Sequence, residues 1–310
     1  MKMKMKMSYV VFRVKKKLIS SLISFKILKR KESSLYNKKH QLIQKYIERE
    51  IGSLIMKYSE SHFQSDTIDK ISNEAFYMMW WQSEQTPSFV YRNIRFLKKQ
   101  TNAQVILLSK NNLVNFLPHL PAELWKKIDE KSITLAQLSD IVRMAILSKY
   151  GGIWIDSTVV TLNTVSDDIF SNNIFTPVDD KGNYKFVPSG RWNIYLLGGK
   201  PHRKYFEFLY EALLFFNLNS NKIPDYFLVD YLFSIAYDFN IGGLKDDLES
   251  LGSNNIEVND FQKVMNLPFS QSYLAKFTKN TSFFKTSWKE KHFSKDVNGK
   301  LTFWGYLEEL

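Results

Sequence analysis

The sequence has no cysteine among its 310 residues, which excludes disulfides, thiolate nucleophiles and metal sites held by cysteine. It also lacks any apolar run of about 18 residues, the length that a membrane-spanning helix needs. The Gly-x4-Gly-Lys-[Ser/Thr] spacing of a phosphate-binding loop is absent, so Gly198-Gly199-Lys200 is not such a loop. Hydrophobic residues make up 44% and charged residues 24%, which is ordinary for a folded protein with one large domain and an appendage.

Acidic residues are almost missing from the first 45 residues, which hold 14 Lys and Arg and a single acid, Glu32. The rest of the chain holds 29 basic and 30 acidic residues, so the formal charge of +12 resides in the N-terminal segment. Because the remainder is nearly neutral, we expect no nucleic-acid partner. Removing residues 1–45 should abolish any binding of that kind.

A basic amphipathic helix is predicted between Val10 and Leu28, where apolar residues recur every three or four positions among Lys and Arg. This pattern is typical of a helix on an anionic membrane surface, where each nearby cation adds on the order of 1 kcal/mol. The alternative is a basic helix that packs on the rest of the protein or stays in solvent. We therefore predict an N-terminal helical region, residues 1–70, a second domain, residues 71–310, and a peripheral position on the inner face of the plasma membrane.

Strand and helix patterns alternate in the second domain. An aromatic run at 76–81 predicts a first strand, an amphipathic helix follows at 88–100, and 105–108 predicts a second buried strand. A further strand is expected at 194–197. The β-α-β order predicts an α/β fold built on a parallel sheet.

Residues 134–160, TLAQLSDIVRMAILSKYGGIWIDSTVV, form the most informative stretch. Thr134 predicts a helix N-cap, and Gly151-Gly152 predict the helix end because glycine tolerates positive φ. The apolar run that follows predicts a strand covered on both faces, and Asp156 comes directly after it.

Asp140 and Arg143 lie three residues apart in this predicted helix and therefore share one face. Both can point to the sheet edge at the carboxyl ends of the strands, where open α/β sheets bind ligands. The alternative is an ordinary surface ion pair, worth a few tenths of a kcal/mol.

The segments 139–143 (SDIVR) and 150–158 (YGGIWIDST) resemble the capsular polysaccharide synthesis glycosyltransferases, which are related to glycosyltransferases with a DXD sugar-binding region. The resemblance implies a GT-A fold, which is Rossmann-like with a mixed, mainly parallel sheet. It also implies transfer of a hexose from a nucleoside diphosphate sugar, with retention, to a hydroxyl of a lipid-linked glycan in capsular or extracellular polysaccharide synthesis. The chain departs from the relatives' Asp-X-Asp in having Asp156-Ser157-Thr158.

The resemblance also implies roles for particular residues. The expected catalytic residues are Asp140 and Arg143, on the donor sugar's hydroxyls, and Asp230, toward the acceptor hydroxyl. Asp156 and Thr158 would hold Mn²⁺ or Mg²⁺ on the diphosphate, since oxygen ligands suit both ions. The expected donor-binding residues are Trp81, Gln82, Asp140, Arg143, Asp156, Ser157, Lys285, Ser287, Trp288 and Lys289.

Several alternatives stay open at this point. The tryptophans could simply be core residues, and 285–289 could be a basic surface turn. Asp225 is the other carboxylate that could face the acceptor, although Pro224 ahead of it also suits a helix start. Lysines at 285 and 289 could take over part of the metal's charge. No nucleophile is spaced for a double displacement, so retention predicts front-face attack assisted by the diphosphate.

A hypothesis from a different class is a membrane-associated protein that binds a sugar nucleotide or glycan on a degenerate GT-A scaffold. It follows from the missing second aspartate. Donor hydrolysis with and without Mn²⁺ would separate it from the enzyme.

Overall fold

A computed structural model describes residues 2–24, 31–60, 74–179, 181–219 and 222–310. The α-helices in these ranges are α1 (Lys2–Ser24), α2 (Glu32–Glu50), α3 (Gly52–Glu60), α4 (Ser88–Gln100), α5 (Leu113–Phe116), α6 (Ala122–Asp129), α7 (Leu135–Tyr150), α8 (Lys204–Asn219), α9 (Leu228–Asp238), α10 (Leu244–Leu251), α11 (Gln271–Thr278) and α12 (Phe303–Glu309). The strands are β1 (Ala75–Met79), β2 (Gln104–Leu108), β3 (Gly152–Ile155), β4 (Val159–Thr161), β5 (Ile174–Phe175), β6 (Leu196–Gly199) and β7 (Phe283–Lys285).

The central sheet has five strands in the order β2-β1-β3-β6-β5. Strand β1 runs parallel to β2 and β3, whereas β6 is antiparallel to both β3 and β5. Four strands therefore point the same way and β6 alone is reversed within this sheet. The prediction of a mixed, mainly parallel α/β sheet is confirmed.

Two predicted strands are shifted along the chain. Strand β1 ends at Met79, and the chain turns into a 3₁₀ helix at Ser83–Gln85, which leaves Trp80 and Trp81 beyond the strand. Strand β6 extends to Gly199, two residues past the predicted end. Glycine is required there because a Cβ on Gly198 would lie 2.6 Å from the Gly152 carbonyl oxygen of β3.

Helix α7 begins and ends as predicted. Thr134 and Gln137 form a capping box, in which the Gln137 backbone N–H donates to Thr134 Oγ1 and the Thr134 N–H donates to Gln137 Oε1. Gly151 ends the helix at φ +65°, and a Cβ there would lie 2.7 Å from the Gly199 carbonyl oxygen. Because both glycines adopt positive φ, the chain turns sharply after α7, and β3 begins at Gly152, two residues after the helix ends.

The N-terminal helices share the apolar core of the rest of the protein. Helices α2 and α3, with Ile51 between them, bury apolar side chains in the same cluster as residues of α8 and α9, namely Ile43, Ile47, Ile51, Ile55 and Tyr58. These two helices therefore pack directly on the part of the chain that carries the sheet. The predicted boundary at residue 70 lies outside the described residues.

Helix α1 packs one face against α2. Phe12 is buried and stacks on Tyr46 with a centroid distance of 4.1 Å. The helix is described to Ser24, so the predicted end at Leu28 lies outside the described residues. In the ranges that the structure describes, no helix combines the length and hydropathy that crossing a membrane requires.

Candidate active site

A cleft of about 1210 Å³ opens where the parallel strands β1 and β3 end. The N-terminal half of α7, the first turn of α9 and the segment after β7 close its sides. Strands that run parallel bring their carboxyl ends to one edge, which explains why segments distant in sequence meet here. Every residue predicted for the site lines this cleft, namely Trp81, Gln82, Asp140, Arg143, Asp156, Ser157, Thr158, Asp230, Lys285, Ser287, Trp288 and Lys289.

Arg143 bridges two carboxylates on the cleft floor. Its Nη1 donates to Asp140 Oδ1 at 2.6 Å and its Nη2 donates to Asp156 Oδ1 at 3.2 Å. The guanidinium also lies 5.0 Å from the centre of the Trp154 ring. Only 5% of the arginine side chain is exposed, so this is no ordinary surface ion pair. The bridge holds the carboxylate on α7 next to the one after β3.

Asp156 is fixed by a second donor and remains ionised. Trp154 lies two residues earlier on the same strand face, and its Nε1 donates to Asp156 Oδ1 at 3.0 Å. Burial would raise the pKa of Asp156, but the charges of Lys285 and Arg143 outweigh it and lower that pKa. The same burial raises the pKa of Asp140, with Arg143 opposing the shift.

Lys285 closes the other side of Asp156. Its Nζ donates to Asp156 Oδ2 at 3.1 Å and to Thr158 Oγ1 at 2.6 Å. Strand β7 pairs with β4 so that Lys285 lies opposite Val159. The lysine therefore reaches the two side chains at the predicted metal positions because of the register of a short antiparallel pair.

The donor atoms present do not fit a divalent cation. Mg²⁺ and Mn²⁺ take several oxygen ligands, with carboxylates foremost. Here Asp156 is the carboxylate, Thr158 adds a hydroxyl, and both bond to the Lys285 ammonium. Within the described ranges, no three His, Asp or Glu side chains are grouped to share a metal ion. The predicted Mn²⁺ or Mg²⁺ stays a prediction.

Asp230 lies in the first turn of α9, where 9% of the residue is exposed. Trp192 Nε1 donates to its Oδ1 at 3.3 Å. Burial, together with the charge of Asp140, raises the pKa of Asp230 to about 7, although Trp192 and Arg143 oppose the rise. A carboxyl group with this pKa in a cleft suits proton transfer near neutral pH.

Asp225, the other carboxylate that could face the acceptor, has a partner on α1. Its Oδ2 lies 2.5 Å from Lys16 Nζ, and its Oδ1 accepts from the Phe227 N–H. The helix starts at Leu228, so the interpretation that Pro224 opens a helix with Asp225 in its first turn is wrong. The ion pair with Lys16 explains this carboxylate instead.

The remaining predicted contacts lie nearer the mouth. Trp81 is half-buried and stacks on Trp125 at 6.4 Å, whereas Gln82 is exposed. Trp288 is 59% exposed, with the Lys289 ammonium 5.9 Å from its ring centre. The cleft thus has a charged floor and aromatic walls.

Other lining residues were not predicted as site residues. Trp80 lies on the cleft wall, with its Nε1 buried and without a hydrogen-bond partner. Tyr195 supports the floor: its carbonyl accepts from the Asp156 N–H at 2.8 Å and its ring faces Lys285 at 4.8 Å. Arg13 and Lys16 reach the cleft from α1. Trp154 also lines the cleft. Its contact with Asp156 could have been predicted from the sequence, because residues two apart along a strand share a face.

Comparison with known proteins bears on the family. No curated protein matches the chain. A solved structure described as "PaToxG Glycosyltransferase" is similar at 13% identity and a TM-score of 0.42, covering 70% of this chain and 83% of that one. A family model described as "Capsular polysaccharide synthesis protein" matches residues 24–304, which confirms the resemblance carried by 139–143 and 150–158. The chain belongs to the capsular polysaccharide synthesis protein family.

Proposed function

We propose that the chain is a retaining glycosyltransferase of the GT-A type. It moves a hexose from a nucleoside diphosphate sugar to a hydroxyl of a lipid-linked glycan during capsular or extracellular polysaccharide synthesis. Family membership supports a role in making such a polysaccharide. The arrangement of charges in the cleft supports the reaction class.

The observation that carries the proposal is the alternating row Asp140–Arg143–Asp156–Lys285 at the carboxyl edge of the sheet. Carboxylates accept hydrogen bonds from sugar hydroxyls, and cations bind phosphate oxygens. A cleft of about 1210 Å³ has room for both halves of a sugar nucleotide and for an acceptor. The row thus offers carboxylates to the sugar and a cation to the diphosphate.

Each residue then has a distinct task. Asp140 accepts from the donor sugar's hydroxyls, and Arg143 is a positioning residue because both of its terminal nitrogens bond to carboxylates. Lys285 and Lys289 face the diphosphate, while Trp81 and Trp288 cover the bound donor. Asp230 takes the acceptor hydroxyl's proton. Retention follows from attack on the same face that the diphosphate leaves.

The donor can be tested with a panel of UDP- and GDP-sugars, each with and without Mn²⁺. At 100 times its dissociation constant, the correct donor should add about 2.7 kcal/mol to the free energy of unfolding. Thermal unfolding of the purified protein measures this, and release of the nucleoside diphosphate measures turnover. Asp156→Ala should lose both responses, because it removes the carboxylate at the centre of the row.

Asp167→Asn is the matched control, since Asp167 is an exposed acid outside the cleft. It should behave like the wild type. If no donor stabilises the wild type, or if Asp156→Ala binds donor unchanged, the enzyme proposal fails. Donor binding without any turnover would favour the degenerate, sugar-nucleotide-binding scaffold.

The second part of the proposal is a peripheral membrane position on the cytoplasmic face. Helix α1 exposes Val11, Val14, Leu18 and Leu22, each 43% to 61% exposed, along one stripe at helical spacing. At 3.6 residues per turn, exposed lysines at 15 and 17 fall on opposite sides of this stripe. Apolar residues flanked by cations are complementary to an anionic lipid surface.

The opposite face of α1 connects this surface to the cleft. Phe12 packs on Tyr46, while Arg13 and Lys16 line the cleft and Lys16 pairs with Asp225. The cleft therefore lies beside the helix that would rest on the lipid. This placement supports an acceptor that is carried on a membrane lipid.

Vesicle sedimentation tests the membrane position. We expect binding to vesicles of phosphatidylglycerol and phosphatidylcholine, and much weaker binding to phosphatidylcholine alone. Replacing Val14, Leu18 and Leu22 by serine should weaken binding by at least about 1000-fold, since each of the three buried apolar side chains contributes roughly 1.5–3 kcal/mol and about 1.4 kcal/mol corresponds to a tenfold change. Serine at Met56, Leu267 and Val297, exposed apolar residues outside α1, is the control. Equal binding by both triple variants would contradict the proposal.

A further inference from the structure

We infer that the Lys285 ammonium occupies the place of a divalent cation, so that the donor's diphosphate leaves without a metal ion. The inference rests on the proposed function and specifies how its leaving group is stabilised. It replaces a soluble cofactor with a side chain of the protein.

The position of the lysine is the first support. Lys285 Nζ lies 3.1 Å from Asp156 Oδ2 and 2.6 Å from Thr158 Oγ1, between the two side chains that would otherwise share a metal. The Tyr195 ring bounds it at 4.8 Å. An ammonium has three N–H donors, and Asp156 and Thr158 take two of them. The third can bond to a phosphate oxygen.

The backbone around the lysine leaves it little freedom. Lys285 N donates to the Val258 carbonyl at 2.7 Å. Thr286 donates twice to the Thr158 carbonyl, from its N at 2.9 Å and from its Oγ1 at 2.7 Å. The segment that carries the cation is thus bonded on both sides to neighbouring chain. A preorganised cation needs no reorganisation when charge develops on a leaving group.

The local charge is the second support. Asp140, Arg143, Asp156 and Lys285 form two ion-paired carboxylates and two cations, so their charges cancel. A divalent cation would add two positive charges to a neutral group and would have to displace the ammonium from Asp156. The Thr158 hydroxyl is suited to a neighbouring ammonium, because it accepts a hydrogen bond from Lys285 without adding a second negative charge.

The chemical step balances without a metal. The bond between the anomeric carbon and the diphosphate oxygen breaks, and its electron pair stays on that oxygen. The acceptor oxygen forms the new bond to the anomeric carbon, and its proton passes to Asp230. The nucleoside diphosphate leaves with one more negative charge than it carried in the donor, and the third N–H of Lys285 bonds to it.

The test uses the full chain, freed of metal with EDTA. Turnover and donor binding by calorimetry should agree within about two-fold with and without added Mn²⁺. Lys285→Met should lower turnover on the order of 10²–10³-fold, the typical cost of removing one charge-stabilising donor. Added Mn²⁺ should not restore it. Lys300→Met, an exposed lysine outside the cleft, should behave like the wild type.

A double variant, Thr158→Asp with Lys285→Ala, should create a pair of carboxylates that binds metal. Its Mn²⁺ binding, followed by electron paramagnetic resonance with nucleoside diphosphate present, should exceed that of the wild type, and its turnover should depend on Mn²⁺. Wild-type turnover that EDTA abolishes and Mn²⁺ restores would overturn the inference while leaving the glycosyltransferase intact. A wild type that binds no donor with or without Mn²⁺ would overturn both.

Discussion

Asp230→Asn is expected to lower turnover on the order of 10²–10⁴-fold, the range for loss of a general base. Asparagine has nearly the same shape and can still accept the hydrogen bond from Trp192 Nε1. It cannot take the acceptor's proton. In the wild type, turnover should rise with pH and level off above about 7, the pKa to which burial raises this carboxyl group.

The same substitution should stabilise the fold at high pH. Burial raises the pKa of Asp230 from 3.8 to about 7, so the folded state holds the proton more tightly than the unfolded state. The free energy of unfolding therefore falls between about pH 4 and pH 7, and the penalty is complete above that range. Asparagine removes it, which predicts a gain on the order of 2–4 kcal/mol at pH 8 and none below pH 4.

Turnover profiles and thermal unfolding at both pH values check this prediction. Asp167→Asn, the exposed acid outside the cleft, should change neither quantity. A variant at 230 that keeps wild-type turnover would remove Asp230 from the proposed reaction. If the variant is inactive but no more stable than the wild type at pH 8, burial does not destabilise the ionised carboxylate of Asp230 in the wild type.

Arg143→Met is expected to destabilise the fold by about 3–5 kcal/mol at pH 8 and to abolish turnover. Methionine fills the space but leaves the carboxylates of Asp140 and Asp156 without their shared cation. The destabilisation should be smaller at pH 5, because both carboxyl groups will have higher pKa values without the guanidinium and can take up protons. Denaturant unfolding at the two pH values measures it.

Two further variants separate positioning from folding. Arg143→Lys keeps a charge but cannot bond to Asp140 and Asp156 in the same planar geometry, so it should lose more turnover than stability. Adding Asp140→Asn to Arg143→Met should recover part of the stability and none of the turnover. Recovery of turnover in that double variant would contradict the role given to Asp140.

Arg203→Met provides the matched control. Arg203 pairs with Asp247 outside the cleft and is also partly buried. Its loss should destabilise the fold while the folded enzyme keeps its turnover. If both arginine variants lose turnover equally, the effect of Arg143 would be that of stability alone.

Local patterns predicted much of the fold. Helix α7 follows from its N-cap, its apolar period and its glycine end, and β1, β2 and β3 follow from apolar runs, because these signals act over a few residues. Strand ends were less accurate. Whether Trp80 belongs to β1, or whether β6 reaches Gly199, depends on contacts with neighbouring strands that no local pattern contains.

The sequence by itself predicted that Asp140, Arg143 and Asp156 meet in one site at the sheet edge, since one helix, one glycine pair and one strand place these residues within a short stretch. Only the tertiary structure decided what completes it. Lys285 reaches Asp156 through the register of β7 on β4, and Trp192 reaches Asp230 from the loop between β5 and β6. Those contacts arise from the packing of distant segments into one core. Packing also brings the Lys285 ammonium to Thr158, the residue at the position of the relatives' second aspartate.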